Sequence, residues 1–250
     1  GGTLIQHKKE HMLHCDIKDG DRVFFFSTCG WMMWNWLVSS LAVGATLVLY
    51  DGNPFYPRKD SLLEIADSIG LSVFGTSAKY ISFLEQNNII PNKYSFKKLR
   101  LILSTGSPLI EENYDFVYNN WKHDVQLCSI SGGTDIISCF ALGNPIKPII
   151  KGKLQSLGLG MNVKSFDENG KTLISDKGEL VCVTPFPSMP IYFFNDHNNL
   201  KYKNAYFDTY PNIWRHGDYI SIYKDGTVKI FGRSDTTLNP GGARIGTAEI

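Results

Sequence analysis

The chain has 250 residues, 43% of them hydrophobic and 13% aromatic, so it buries a sizeable core and is neither disordered nor fibrous. Its 25 Lys plus Arg almost cancel its 24 Asp plus Glu, which removes any general electrostatic case for nucleic acid or an anionic membrane. Cysteines 15, 29, 128, 139 and 182 are dispersed and never form a CxxC pair, so neither a disulfide framework nor a zinc site is expected, and a reducing cytoplasm fits best.

The apolar run Val38 to Tyr50 is broken by Ser39, Ser40, Gly44 and Thr46 and is too short to span a bilayer; no signal peptide is visible at the start. Gly1-Gly2 opens the chain without Met, and Ile250 follows directly on a Gly-rich turn, a pattern read as an internal piece of a longer protein. His7, His11 and His14 share one face of a helix starting near Thr3. With only Glu10 among them as a carboxylate, a solvated helix face is expected rather than a metal site.

From Asp21 to about Ile150 strand and helix alternate. Val23 to Phe26 reads as a strand, Met32 to Val43 as a helix, Thr46 to Tyr50 as a strand, and Ser61 to Ile69 as a helix with Leu62, Ile65, Ala66 and Ile69 at helical spacing. Leu71 to Phe74, Leu99 to Leu103 and Val125 to Ile130 are further strands, separated by helices over Ser77 to Asn87 and Ile110 to Asn120. Repeated units of this kind predict a parallel sheet with helices on both faces, whose ligands sit at the carboxyl ends of the strands. Two small-residue loops follow such ends: Ser104-Thr105-Gly106-Ser107-Pro108 and Ser131-Gly132-Gly133-Thr134-Asp135. Each lets backbone approach a ligand while hydroxyls donate to phosphate, although either can equally be a plain turn. Trp31, Trp34 and Trp36 with Met32 and Met33 read as core packing, one face of which could wall an apolar pocket.

After Lys151 the pattern changes to short strands and turns. Asn162 to Phe166 and Lys171 to Ser175 flank Asp167-Glu168-Asn169-Gly170, and Gly178 to Thr184 follows, which predicts a small antiparallel barrel or sandwich beginning near Pro148. Its last hairpin, Trp214 to Asp235, pairs Tyr219 to Tyr223 with Thr227 to Phe231 around Lys224-Asp225-Gly226. Asp218 and Arg233 then meet at the open end. They read either as a salt bridge closing the hairpin or as a carboxylate for vicinal ribose hydroxyls beside a guanidinium, each hydrogen bond to a charged group contributing roughly 1.5 to 3 kcal/mol.

GSPL at Gly106 to Leu109, SGGTD at Ser131 to Asp135, GELV with PFPSMP between Gly178 and Pro190, WRHGD at Trp214 to Asp218 and GRSDTTLNPGGARIGTAEI at Gly232 to Ile250 occur together and in one order. On these segments the chain resembles the acyl-adenylate-forming superfamily, which includes acyl-CoA synthetases and peptide-synthetase adenylation domains. The resemblance implies an α/β core over residues 1–148, a β-barrel subdomain over 149–232, and a hinge with the start of a carboxyl-terminal lid over 233–250.

It further implies that Gly106, Ser107 and Pro108 line the adenine, that Ser131, Gly132, Gly133 and Thr134 face the nucleotide with Thr134 at the α-phosphate, and that Asp135 serves Mg2+. Asp218 and Arg233 would hold the ribose, Asp235 would be the hinge, and Arg244 would face phosphate. The implied substrates are ATP, CoA and a short acid. Gly132, where acetate-specific members carry a bulky aromatic, leaves room with Trp31 for the longer acetoacetate. The family's β,γ-phosphate loop and lid lysine would lie outside Gly1 to Ile250, so this piece alone should not turn over. An acetyl or other short-chain acid is the nearest alternative. A serine hydrolase built on Ser131, His216 and Asp218, or a non-catalytic nucleotide-binding module, is the more distant one.

Overall fold

The computed structural model describes residues 1–235 and the strand residues 237–238 and 245–246. Five short strands form the first sheet: β1 (Arg22–Phe25), β2 (Thr46–Val48), β3 (Val73–Ser77), β4 (Leu101–Thr105) and β5 (Gln126–Ser129). Their order is β2-β1-β3-β4-β5 and every neighbouring pair is parallel. Side chains alternate across this sheet with period two. Phe24, Phe74, Ile102 and Leu127 enter one core, while Val23, Phe25, Val73, Leu101, Leu103 and Cys128 enter another on the opposite face.

The helices follow this division. α1 (Gly2–Lys9) and α2 (Met32–Ser39) lie with the second core, and Trp36 is fully buried there. α3 (Ser61–Ile69), α4 (Ala78–Gln86) and α5 (Glu111–Phe116) cover the first core. Ser77 begins α4 by accepting the Tyr80 N–H at 3.2 Å, and Gly70 ends α3 in the left-handed region at φ 72°. The predicted parallel sheet with helices on both faces is thus present. Its fourth strand is set two residues later than the apolar run indicates, which carries Ser104 and Thr105 into the sheet.

One expectation is overturned. Beyond α1 the chain continues as a wide π-helical turn over Glu10–His14, and the histidine face is buried, not solvated: His7 and His11 are 0% exposed and His14 2%. His7 meets Ser39 Oγ at 2.9 Å and the Ile137 carbonyl, His11 Nε2 donates to the Trp36 carbonyl at 2.9 Å, and His14 Nδ1 donates to the Gly143 carbonyl at 2.8 Å. The apolar residues Leu4, Ile5, Met12 and Leu13 point outward instead. Polar residues at helical spacing normally mark the wet side; here their partners lie far along the chain and turn that face inward. Among the described residues no group of three or more His, Cys, Asp or Glu side chains is placed to hold a metal ion, and no helix is long and apolar enough to cross a membrane.

Antiparallel pairing begins at Ser131, ahead of the expected change near Pro148. β6 (Ser131–Gly133), β7 (Ser138–Leu142) and β8 (Ser156–Leu157) form a three-stranded sheet that crosses that position. β9 (Val163–Phe166), β10 (Thr172–Leu173), β11 (Gly178–Cys182), β12 (Trp214–Ile222) and β13 (Val228–Arg233) form a second sheet in the order β10-β9-β11-β12-β13, and α6 (Leu200–Tyr206) lies between β11 and β12 in the chain. A third core joins the two sheets. Phe140 of β7, Phe186, Trp214 of β12 and Tyr206 of α6 pack in sequence, with the Tyr206 and Trp214 rings stacked at 3.7 Å. β14 (Thr237–Leu238) pairs with β15 (Ile245–Gly246); the rest of the expected lid lies outside the described residues.

His11 and His14 carry an acid-stability signature. Burial foremost, then the nearby His7, pushes His11 down to about 3 from the ordinary 6.5, the hydrogen bond to Trp36 opposing only in part. His11 is therefore neutral in the fold but takes up a proton near pH 6.5 when unfolded. Its contribution is complete above that pH and is lost as pH falls, at about 1.4 kcal/mol per pH unit. Urea-unfolding midpoints measured between pH 7.5 and 5 are expected to fall steeply, and His11→Gln is expected to flatten that slope, His14 contributing the remainder.

Candidate active site

β4 and β5 end side by side, tied by Thr105 Oγ1 donating to the Ile130 carbonyl at 3.0 Å. Beyond them opens a cavity of about 370 Å3 between the parallel sheet and the antiparallel strands. Gly106 turns the chain at φ 89°, and Gly106, Ser107 and Pro108 form one exposed rim. β6 forms the floor, the end of the β12–β13 hairpin faces it, and Trp31 with Met32 and Met33 forms a side wall. Trp31 is 42% exposed at this wall, whereas Trp36 belongs wholly to the core.

The hairpin places Asp218 directly opposite Arg233 in register. Arg233 Nη1 donates to Asp218 Oδ1 at 3.2 Å and Nη2 to the His216 carbonyl at 3.3 Å, while Nε donates to Asp235 Oδ1 at 3.0 Å and Nη2 also to Asp235 Oδ2. Burial works against the Arg233 charge, but the hydrogen bonds of Asp235 and the fields of Asp218, Asp235 and Asp135 outweigh it, and its pKa is raised. Gly217 adopts φ 82°, and a Cβ there would lie 2.5 Å from Arg233 Nη2, so only glycine lets the guanidinium lie along the strand. Glu179 of β11 props the same hairpin: it accepts the Gly217 N–H at 3.1 Å and the Ser234 hydroxyl at 2.7 Å, and pairs with Arg215 Nε at 3.2 Å.

The expected loop at Ser131 to Gly133 is instead a strand paired with β7. Gly132 lies opposite Cys139 and Gly133 opposite Ser138, with a register shift beside Ser131. A Cβ at Gly132 would strike the Ser138 carbonyl and approach Cys139 Cα at 2.5 Å, so glycine at this position allows two backbones to meet. Gly132 lines the cavity through its backbone. Gly133 is required by the His216 imidazole, whose Cε1 lies 2.5 Å from the Cβ position.

Ser131, Gly132, Gly133, Thr134, Asp218, Arg233, Gly106, Ser107, Pro108 and Trp31 thus all line one cavity. Asp135 lies beyond that lining, one of its oxygens accepting the Tyr206 hydroxyl at 2.6 Å. Asp235 sits behind Arg233, and Arg244 falls outside the described residues. Sequence reasoning assigned no nucleotide role to His216, Glu179 or Tyr206. His216 was the one with a local signal, since strand alternation puts residues 216 and 218 on one face; its Nε2 is 3.5 Å from Asp218 Oδ2.

No family model matches the chain. Along its whole length it is 56% identical to an acetoacetyl-coenzyme A synthetase of Rhizobium meliloti (strain 1021), of which it covers 39%. It is 50% identical to the acetoacetyl-CoA synthetase of Mus musculus over 38% of that protein. The solved acetoacetyl-CoA synthetase from Streptomyces lividans superposes on all of the chain with a TM-score of 0.91 and 43% identity, the match covering 39% of that structure. The chain spans between 36% and 39% of the length of the curated relatives it matches. Over every one of its residues, then, the chain is homologous to acetoacetyl-CoA synthetases.

Proposed function

We propose that the chain forms the nucleotide- and acid-binding part of an ATP-dependent ligase that adenylates acetoacetate and passes the acyl group to CoA, releasing AMP and pyrophosphate. The observation that carries this reading is the convergence of the 106–108 rim, the β6 backbone and the Asp218–Arg233 pair on a single cavity. An ionised carboxylate with acceptor capacity suits the two ribose hydroxyls, and the adenine would lie on the Gly106 to Pro108 rim. Thr134 would meet the α-phosphate. Mg2+ takes one or two carboxylates and completes its shell with phosphate oxygens and water, so Asp135, next to Thr134 at the edge of the cavity, would be the carboxylate to hold it. When bound, the ion supplies neutralisation of phosphate charge. The acid's carboxylate is already a nucleophile at pH 7, so the residues here position and neutralise and no general base is needed.

Trp31, Met32 and Met33 wall the end of the cavity where the acid would lie. Residues 1–148 serve as the α/β core in this reading, 149–232 as the β subdomain, and 233–250 as hinge and start of the lid, with Asp235 as pivot and Arg244 facing phosphate. Dispersed free cysteines support a cytoplasmic setting.

Pyrophosphate release by the full-length protein, measured with acetate, acetoacetate and butyrate side by side, is expected to be fastest with acetoacetate; equal or faster release with acetate would overturn the acid assignment. Asp218→Ala is expected to weaken AMP binding, read by calorimetry, about 10- to 100-fold for each ribose hydrogen bond lost. Because a side chain at 132 must part β6 from β7, Gly132→Ala is expected to slow pyrophosphate release with every acid alike, by about 5- to 150-fold for a strain of about 1 to 3 kcal/mol. A selective gain with acetate would show that space at this position does set acid length.

A further inference from the structure

The mechanism above makes no use of the buried polar face of the first helix, yet that face touches the strand on which the phosphate end of the cavity is built. Glu10 is 0% exposed and lies 128 or more residues from the backbone it holds. Its Oε1 accepts the Ser138 hydroxyl, the Gln6 side-chain N–H at 3.0 Å and the Cys139 N–H at 3.4 Å, and its Oε2 accepts Trp36 Nε1 at 2.9 Å. One turn earlier, His7 Nε2 donates to the carbonyl of Ile137, the last residue of the β6–β7 turn, which has φ 48°. Ser138 and Cys139 are the register partners of Gly133 and Gly132. The contact between β6 and β7 is so close that β7 fixes how far β6 reaches into the cavity.

We infer that Glu10 and His7 are positioning residues: a buried clamp from the first helix that sets β7, and through it the Gly132-Gly133-Thr134 backbone that faces phosphate. The inference rests on the proposed reading of the cavity for what it does to turnover, but the clamp itself does not. The chemistry demands a carboxylate at position 10. Trp36 Nε1 and the Cys139 N–H can only donate, and they approach opposite oxygens, so an amide there must turn its NH2 group toward one of them. The nucleoside end is anchored separately by Asp218 and Arg233 on β12 and β13. Loosening the clamp should therefore spare nucleotide binding and damage the step in which charge develops at phosphate.

The test is Glu10→Gln in the full-length protein, read by hydrogen exchange, AMP binding and steady-state pyrophosphate release. Expected are faster amide exchange over residues 131–139 with residues 214–222 unchanged, an AMP Kd and ATP KM within about threefold of the parent, and kcat at least about tenfold lower in the folded protein. Parental exchange over 131–139, or an unchanged kcat, overturns the inference. If Glu10→Gln does not fold, Ser138→Ala removes a single contact. It is expected to speed exchange over 131–139 and lower kcat about threefold or more, and parental exchange there overturns the inference equally. Should the parent release no pyrophosphate with any acid, the functional reading fails while the exchange result still decides the clamp.

Discussion

A guanidinium held between two strands of one hairpin organises the antiparallel half of this molecule. Arg233 is largely removed from water, and a charge in that position is tolerable only when its donors are met. The surrounding sequence is arranged to meet them. Asp218 stands in register across the hairpin, Asp235 closes from behind, the His216 carbonyl takes a further donor, and Gly217 has no Cβ to obstruct the planar group. Glu179 on the next strand fixes the Gly217 backbone from the other side. With these constraints satisfied, Asp218 can face the cavity only from one direction.

The opposite wall is fixed by different means. The parallel sheet is buried on both faces, so its register is set by apolar packing. Its fourth strand, paired with the third, delivers Ser104, Thr105 and the following glycine turn to the same edge at which β5 ends. The two halves are joined through β6 and β7, where the chain leaves the parallel sheet and immediately pairs with itself. Phe140 of β7 then enters the aromatic core that carries Trp214 of the hairpin. The cavity therefore lies at a seam whose sides share one strand pair, which keeps its geometry fixed without a large interface between separate domains.

Most of this was legible in local chemistry. Apolar runs flanked by turns located the five parallel strands, and Lys224-Asp225-Gly226 with alternating neighbours located the hairpin and hence the Asp218–Arg233 pair. What stayed hidden depended on contacts distant in the chain. The histidine face of the first helix has the spacing of a solvated surface, and only partners at Trp36, Ile137 and Gly143 turn it inward. Ser131 to Gly133 has the composition of a loop because close strand pairing and loops both favour glycine, and only the position of β7 distinguishes them. Tyr206 reaches Asp135 from a helix that follows an irregular proline-bounded stretch, where no periodicity marks which ring points inward.

The paired glycines of β6 also limit how such a cavity can diversify. Neither position can acquire a side chain without moving Ser138 and Cys139 on one side or His216 on the other. Met32 and Met33 on the side wall carry flexible thioethers that repack readily, so this wall can change shape without parting β6 from β7. Trp31 caps α2 and Met32 and Met33 form its first turn, so the adaptable wall is carried by the entrance of a single helix.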